Sequence, residues 1–232
     1  MAKNTYTAPA MNQGEIIWGW GYLIFELVLF PSLLQTVNGL LSRPLGAAEL
    51  NFLFFLINFL AVILIFHRFL GKSFANIRLH PAYFCQGVIL GLCAYFACSW
   101  AVNTAIRYFV PGFTNVNDNS IAALAGADYF LTALGTVVLV PLAEECFYRG
   151  LLFRTLWSQS KVLAYGVSMA AFALVHVLGY VGTATPVRLL LCFLQYLPAG
   201  LCLGWTYTKT NTIYAPVLAH MVINAMAIGL MR

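Results

Sequence analysis

Seven stretches of this chain, residues 16–34, 47–66, 85–102, 124–142, 162–178, 187–205 and 213–230, are apolar over a length that matches a lipid bilayer. A hydrocarbon core of about 30 Å needs roughly 20 residues of helix at 1.5 Å each. The pattern predicts an all-α polytopic membrane protein of about seven transmembrane helices, six to eight allowing for soft ends. A residue count of 232 with 62% hydrophobic and 8% charged residues, and a mean hydropathy of +0.84, excludes a water-soluble domain of this length. Disorder is excluded by the same apolar content.

The six cysteines, Cys85, Cys93, Cys98, Cys146, Cys192 and Cys202, are scattered through apolar stretches without ligand-pair spacing, so neither disulfides nor a cysteine-based zinc site is expected. Residues 1–14 are polar and too lightly charged for a secretory n-region, and predict a short cytoplasmic tail. N-terminal transmembrane helices over 15–122 and a core of helices over 123–232 complete the expected organisation. The one long connection, 107–120, is rich in turn formers.

The net charge of +5 bears on topology; no basic patch interleaved with aromatics points to nucleic acid. With the N-terminus inside, Lys3, Arg68, Lys72, Arg78, Arg149, Arg154, Lys161 and Lys209 fall toward the cytoplasm, and Arg43, Arg107, Arg188 and Arg232 outside. The expectation from charge is an integral membrane protein with its N-terminus in the cytoplasm.

Ionisable groups inside apolar segments are costly, so each is a candidate functional residue. They are Glu26, Asp128, the pair Glu144 and Glu145 with Arg149, His176, and His220 with the amide of Asn224. If the fourth helix continues past Pro141, Glu145 and Arg149 share a face at i and i+4 and can pair. Glu144 points about 100° away and is left available. Pro141 can kink the helix just before the acids.

Ser158 to Lys161 make a turn, and Ser160 stands sixteen residues from both Glu144 and His176. That is roughly 24 Å of helix on each side, which brings the two to one depth in an antiparallel pair. His220 and Asn224 share a face of the seventh span. A carboxylate, two imidazoles and an amide in one interior region are the parts of a water-activating hydrolase. The carboxylate serves as general base, and donors stabilise the oxyanion.

These residues resemble the CAAX protease and bacteriocin-processing family of intramembrane proteases, which includes the type II CAAX prenyl proteases. Its motifs are a Glu pair followed by Arg, a Phe with His four later, and a His with Asn or Asp four later. Here they read E-E-C-F-Y-R from Glu144, F-A-L-V-H from Phe172 and H-M-V-I-N from His220. The resemblance covers about residues 128–229.

The resemblance implies that Glu144 activates water with help from His176, that His220 and Asn224 form the oxyanion hole, that Glu145 and Arg149 support them, and that Phe172 orients His176. It implies an endopeptidase of a bacterial inner membrane, its active site expected to open toward the cytoplasm, acting on a membrane-associated peptide or protein tail, lipidated or not. No H-E-x-x-H pair is present to bind zinc, and neither metal nor cofactor is expected.

Singly, each element has a plainer reading. The acids and Arg149 could brace two helices, and the histidines and Asn224 could be interhelical glue. A proton-coupled transporter and a non-catalytic scaffold or immunity protein are the competing functions. Gly200 and Gly204 predict close packing within the fold, and Trp18, Trp20, Trp100 and Trp205 interfacial anchors.

Overall fold

A computed structural model describes residues 7–230; Lys3 and Arg232, weighed above for topology, lie outside the described residues. The chain forms ten helices among those residues: α1 Gln13–Val28, α2 Phe30–Leu40, α3 Ala47–Ile65, α4 His67–Leu79, α5 Pro81–Phe109, α6 Val116–Ala127, α7 Tyr129–Trp157, α8 Lys161–Leu178, α9 Pro186–Thr210 and α10 Tyr214–Gly229. The architecture is all-α and polytopic.

Five helices are long and apolar enough to cross a membrane, or six if α1 and α2, bent by 56° at Leu29, count as one span. About seven, six to eight allowing for soft ends, had been expected; α10, with 16 residues or about 24 Å, is shorter than a bilayer core of about 30 Å. Many large apolar side chains on the spans face outward, among them Ile24, Leu60, Leu64, Ile89 and Leu190. A lipid environment accounts for a surface of this kind. Trp18 and Trp100 are well exposed, and Trp205 lies under the Lys209 ammonium.

The fourth expected span needs one correction at its start. Residues 124–127 end α6, and the chain breaks at Asp128, which is extended (φ −151°, ψ 100°) and caps α7 by accepting from the Leu131 amide at 2.9 Å. Asp128 is therefore a helix cap. A short carboxylate that satisfies an orphan amide favours a fresh start over continuation.

Within α7 the backbone widens twice, from Leu134 to Leu139 and from Cys146 to Phe153, where hydrogen bonds run from i+5 to i. The first widening relieves the clash that the Pro141 ring would make one turn back in an α-helix. Val140 donates to Gly135. The next bond in that series, from residue 141 to the Thr136 carbonyl, cannot form because proline has no N–H. Asn224 on α10 supplies the missing donor, its Nδ2 lying 2.8 Å from the Thr136 oxygen. In the second widening, the Tyr148 carbonyl accepts from Ser168 Oγ on α8 at 2.8 Å.

Close backbone approach sets the remaining packing. A Cβ on Gly200 would lie 2.9 Å from the Met169 Cα, so α9 rests directly on the backbone of α8. Gly91 on α5 likewise sits against Thr206 of α9. At the other end of the bundle Glu15 is buried, its carboxylate accepting from the Phe69 amide at 2.7 Å and the Asn12 amide at 2.8 Å. That pins the start of α1 to the start of α4.

Candidate active site

Glu145 and Arg149 lie one turn apart on α7, both side chains wholly buried, with Nη1 to Oε1 at 2.8 Å. Arg149 also donates to the Gly200 carbonyl at 3.2 Å and stacks its guanidinium 4.4 Å over the Phe172 ring. A buried cation is tolerable only with partners of this kind. The same Glu145 oxygen meets His220 Nδ1 at 2.9 Å. A carboxylate only accepts, so Nδ1 carries a hydrogen and Nε2 is turned the other way.

That second nitrogen faces Glu144. His220 Nε2 and Glu144 Oε2 are 3.8 Å apart, and this oxygen is buried without a hydrogen-bond partner. Glu144 thus belongs to a relay from Arg149 through Glu145 and His220, although it points away from Arg149 on its own helix. Its imidazole neighbour within ion-pair distance is His220 rather than His176.

His176, on α8, donates from Nδ1 to the Phe172 carbonyl, 2.7 Å away. A carbonyl cannot donate, so Nε2 is the ring's remaining acceptor. The Phe172 ring lies 4.7 Å from His176 and 5.6 Å from His220, between the two imidazoles. On its other side His176 stacks on Tyr196 of α9, with centroids 4.2 Å apart and planes 27° from parallel.

Glu144, His176, His220 and Asn224 all line one cavity of about 730 Å³. Glu145 and Arg149 lie behind its wall. Among the described residues, no group of three His, Cys, Asp or Glu side chains is gathered closely enough to hold a metal ion.

Several cavity residues belong to none of the three motifs. Tyr196 donates its hydroxyl to Asp118 Oδ1 at 3.1 Å and accepts from Asn117 Nδ2 at 2.9 Å. A ladder of amides follows, in which Gln195 donates to Asn103 at 2.6 Å and Asn115 donates to Gln195 at 2.8 Å. On the opposite wall Glu26 accepts from Asn58 at 3.3 Å, and Asn58 accepts from the Tyr22 hydroxyl at 2.6 Å. Burial lifts the Asp118 carboxyl above the usual carboxylate range, against the opposing pull of the Tyr196 hydrogen bond. The cost argument that singles out Glu26 applies with less force to Asn58, Asn103 and Gln195, and would have flagged them as well.

The lining of the cavity includes Glu144 and His220 and also Asn117 and Tyr180, which follow the C-terminal ends of α5 and α8 in the chain. This is the end that carries Arg43, Arg107 and Arg188. Arg68, Lys72, Arg78, Lys161 and Lys209 mark the other end. The expectation had placed the opening on the side richer in basic residues. The depth arithmetic counted residues from the turn at Ser160 and could not show which way the cavity faces.

The fold and the site together are those of a helical membrane protein with an acid–imidazole chamber sunk between its spans. Comparison with known proteins agrees. Residues 126–226 match the model of the family described as type II CAAX prenyl endopeptidase Rce1-like. A Bacillus subtilis (strain 168) protein named "Putative membrane peptidase YdiL" is 25% identical over 132 residues, which are 56% of this chain and 50% of the relative. The chain thus spans about half the length of the curated relative it matches. No solved structure matches it.

Proposed function

We propose that this protein is an intramembrane endopeptidase that uses Glu144 as a general base on water. The observation that carries the reading is the unpartnered Glu144 oxygen facing the His220 imidazole at 3.8 Å in a chamber large enough for a peptide and water. A water seated between Glu144 and the acceptor nitrogen of His176 gives up a proton to Glu144 as its oxygen attacks the peptide carbonyl. The negative charge that develops on the carbonyl oxygen is met by donors from His220 Nε2, in its doubly protonated form, and the second N–H of Asn224. Glu144 then passes the proton to the departing nitrogen as the C–N bond breaks, leaving a new carboxyl and a new amine.

In this reading Glu145 and Arg149 are positioning residues. They hold His220 by Nδ1 and so decide which nitrogen faces the reaction. The family supplies the substrate class, a peptide or protein tail associated with the bilayer.

The test compares membranes containing wild type with membranes containing Glu144→Gln by proteomics of peptide termini. A nearly isosteric amide cannot serve as a base. General-base contributions are typically about 10²- to 10⁴-fold. Termini found with wild type are expected to vanish in the variant while the protein still inserts; unchanged termini would reject the reading.

A further inference from the structure

The ladder of amides in the chamber wall has a direction, and the backbone fixes it at both ends. Asn115 Oδ1 accepts from the main-chain amides of Asn117 and Asp118 at 2.9 and 3.4 Å, so its Nδ2 must donate, and it does so to Gln195 Oε1 at 2.8 Å. Gln195 Nε2 then donates to Asn103 Oδ1 at 2.6 Å. Asn103 Nδ2 closes the series on the carbonyl and hydroxyl of Ser99, at 2.8 and 3.1 Å. A main-chain amide cannot accept and a carbonyl cannot donate, so no side chain in the series can be turned over without breaking a bond at one end.

A primary amide has two N–H groups and two lone pairs on its oxygen. Gln195 uses one of each on its neighbours, which leaves one N–H and one lone pair on a side chain that lines the chamber. One donor beside one acceptor is what a strand residue offers to its hydrogen-bonded partner across a β-ladder. The group also stands close to the chemistry. Tyr196, the next residue, stacks on His176 with ring centroids 4.2 Å apart, and adjacent Cα atoms are about 3.8 Å apart. Extended chain advances about 3.3 Å per residue, so a peptide cut beside His176 brings a main-chain group one or two residues away within reach of Gln195.

Resting on the endopeptidase reading, we propose that Gln195 is a substrate-binding residue that pairs with the main chain of an extended peptide within two residues of the cut bond. Recognition of this kind requires an unfolded segment and asks little of its side chains. Asn115 and Asn103 hold the Gln195 amide in place before a substrate arrives, which lowers the ordering cost of binding.

The experiment uses the full chain in nanodiscs and a mixture of decapeptides randomised at every position, each carrying an amino-terminal palmitoyl chain so that it partitions into the bilayer. The peptide cut fastest is resynthesised with each amide bond other than the cut one replaced in turn by an ester, which removes one N–H and weakens one carbonyl acceptor. In wild type, one ester within two residues of the cut bond is expected to lower kcat/KM about fivefold, the change that one hydrogen bond typically carries. In Gln195→Met, similar in length and without an amide, that penalty is expected to fall below twofold. The ratio of ester to amide cleavage does not depend on how much of a variant is folded. Asn103→Leu breaks the ladder and leaves Gln195 itself, so it is expected to keep the penalty. No ester penalty in wild type, one that survives Gln195→Met, or one that Asn103→Leu also abolishes would overturn the proposal.

Retention of the palmitoylated mixture, above that of empty nanodiscs, provides a readout independent of turnover. Glu144→Gln is expected to hold the mixture about fivefold better than the double variant with Gln195→Met, and equal retention would also overturn the proposal. Absence of cutting by wild type, or cutting that persists in Glu144→Gln, instead counts against the endopeptidase reading, and the retention ratio then decides the Gln195 site alone.

Discussion

Asp118 lies outside the three motifs, yet through Tyr196 it reaches the ring on which His176 stacks. Its carboxyl is raised by burial, so the folded state holds the proton more tightly than the unfolded chain does. The stability this confers is fully present below the ordinary carboxylate range and is lost as pH rises through the raised value. Asp118→Asn keeps an acceptor for the Tyr196 hydroxyl and removes the titration. Between pH 4 and 7, thermal melts in detergent are expected to fall more for wild type than for the variant; parallel profiles would refute this. Tyr196→Leu removes the stacking surface and is expected to lower kcat tenfold or more with KM little changed, while Tyr196→Phe restores most of it. The motif residues were legible because charge at membrane depth has few explanations. Tyr196 was not, because a tyrosine in an apolar span is ordinary and its partner, Asp118, sits in a stretch that reads only as a turn.

At the scale of elements, α7 shows how a local chemical deficit becomes long-range structure. Pro141 was legible as a kink, but a sequence does not reveal whether a proline bends a helix or widens it, since the neighbours decide which relieves the clash. Here the helix widens, and the orphaned Thr136 carbonyl takes its hydrogen from Asn224, which fixes α10 against α7 at the depth of Glu144. The packing of α8 on α9 was legible in the spacing of Gly200 and Gly204. It yields a paired test, because a Cβ at Gly200 meets Met169 backbone whereas one at Gly166, also in α8, meets nothing within 4 Å. Gly200→Ala is expected to cost about 1–3 kcal/mol. Gly166→Ala should be neutral or gain up to about 1 kcal/mol from helix propensity. Chemical or thermal unfolding of the two variants checks this, and equal stabilities would contradict the close approach.

For the whole molecule, the number of apolar segments set the class of fold, but which side chains share the chamber emerges only when the ten helices are assembled. Asn117 and Tyr180 of its lining stand at the end of the bundle that carries Arg43, Arg107 and Arg188, the end that the bias of basic residues predicts to be non-cytoplasmic. In intact cells a membrane-impermeant thiol reagent is expected to label Thr183→Cys, at that end, and to leave Gln159→Cys unlabelled above the parent protein's background. The reverse pattern would put that end in the cytoplasm. The central claim is narrower and concerns two adjacent residues of α7 with opposite duties, Glu144 reactive and Glu145 structural. It is tested most directly by measuring peptide cleavage and melting temperature together for Glu144→Gln and Glu145→Gln. Glu144→Gln is expected to lose at least a hundredfold in cleavage with its melting temperature nearly unchanged. Glu145→Gln leaves Arg149 buried without its counter-charge, a loss of about 3–5 kcal/mol, and is expected to melt several degrees lower. Cleavage at the wild-type rate by Glu144→Gln, with its fold intact, would contradict the account.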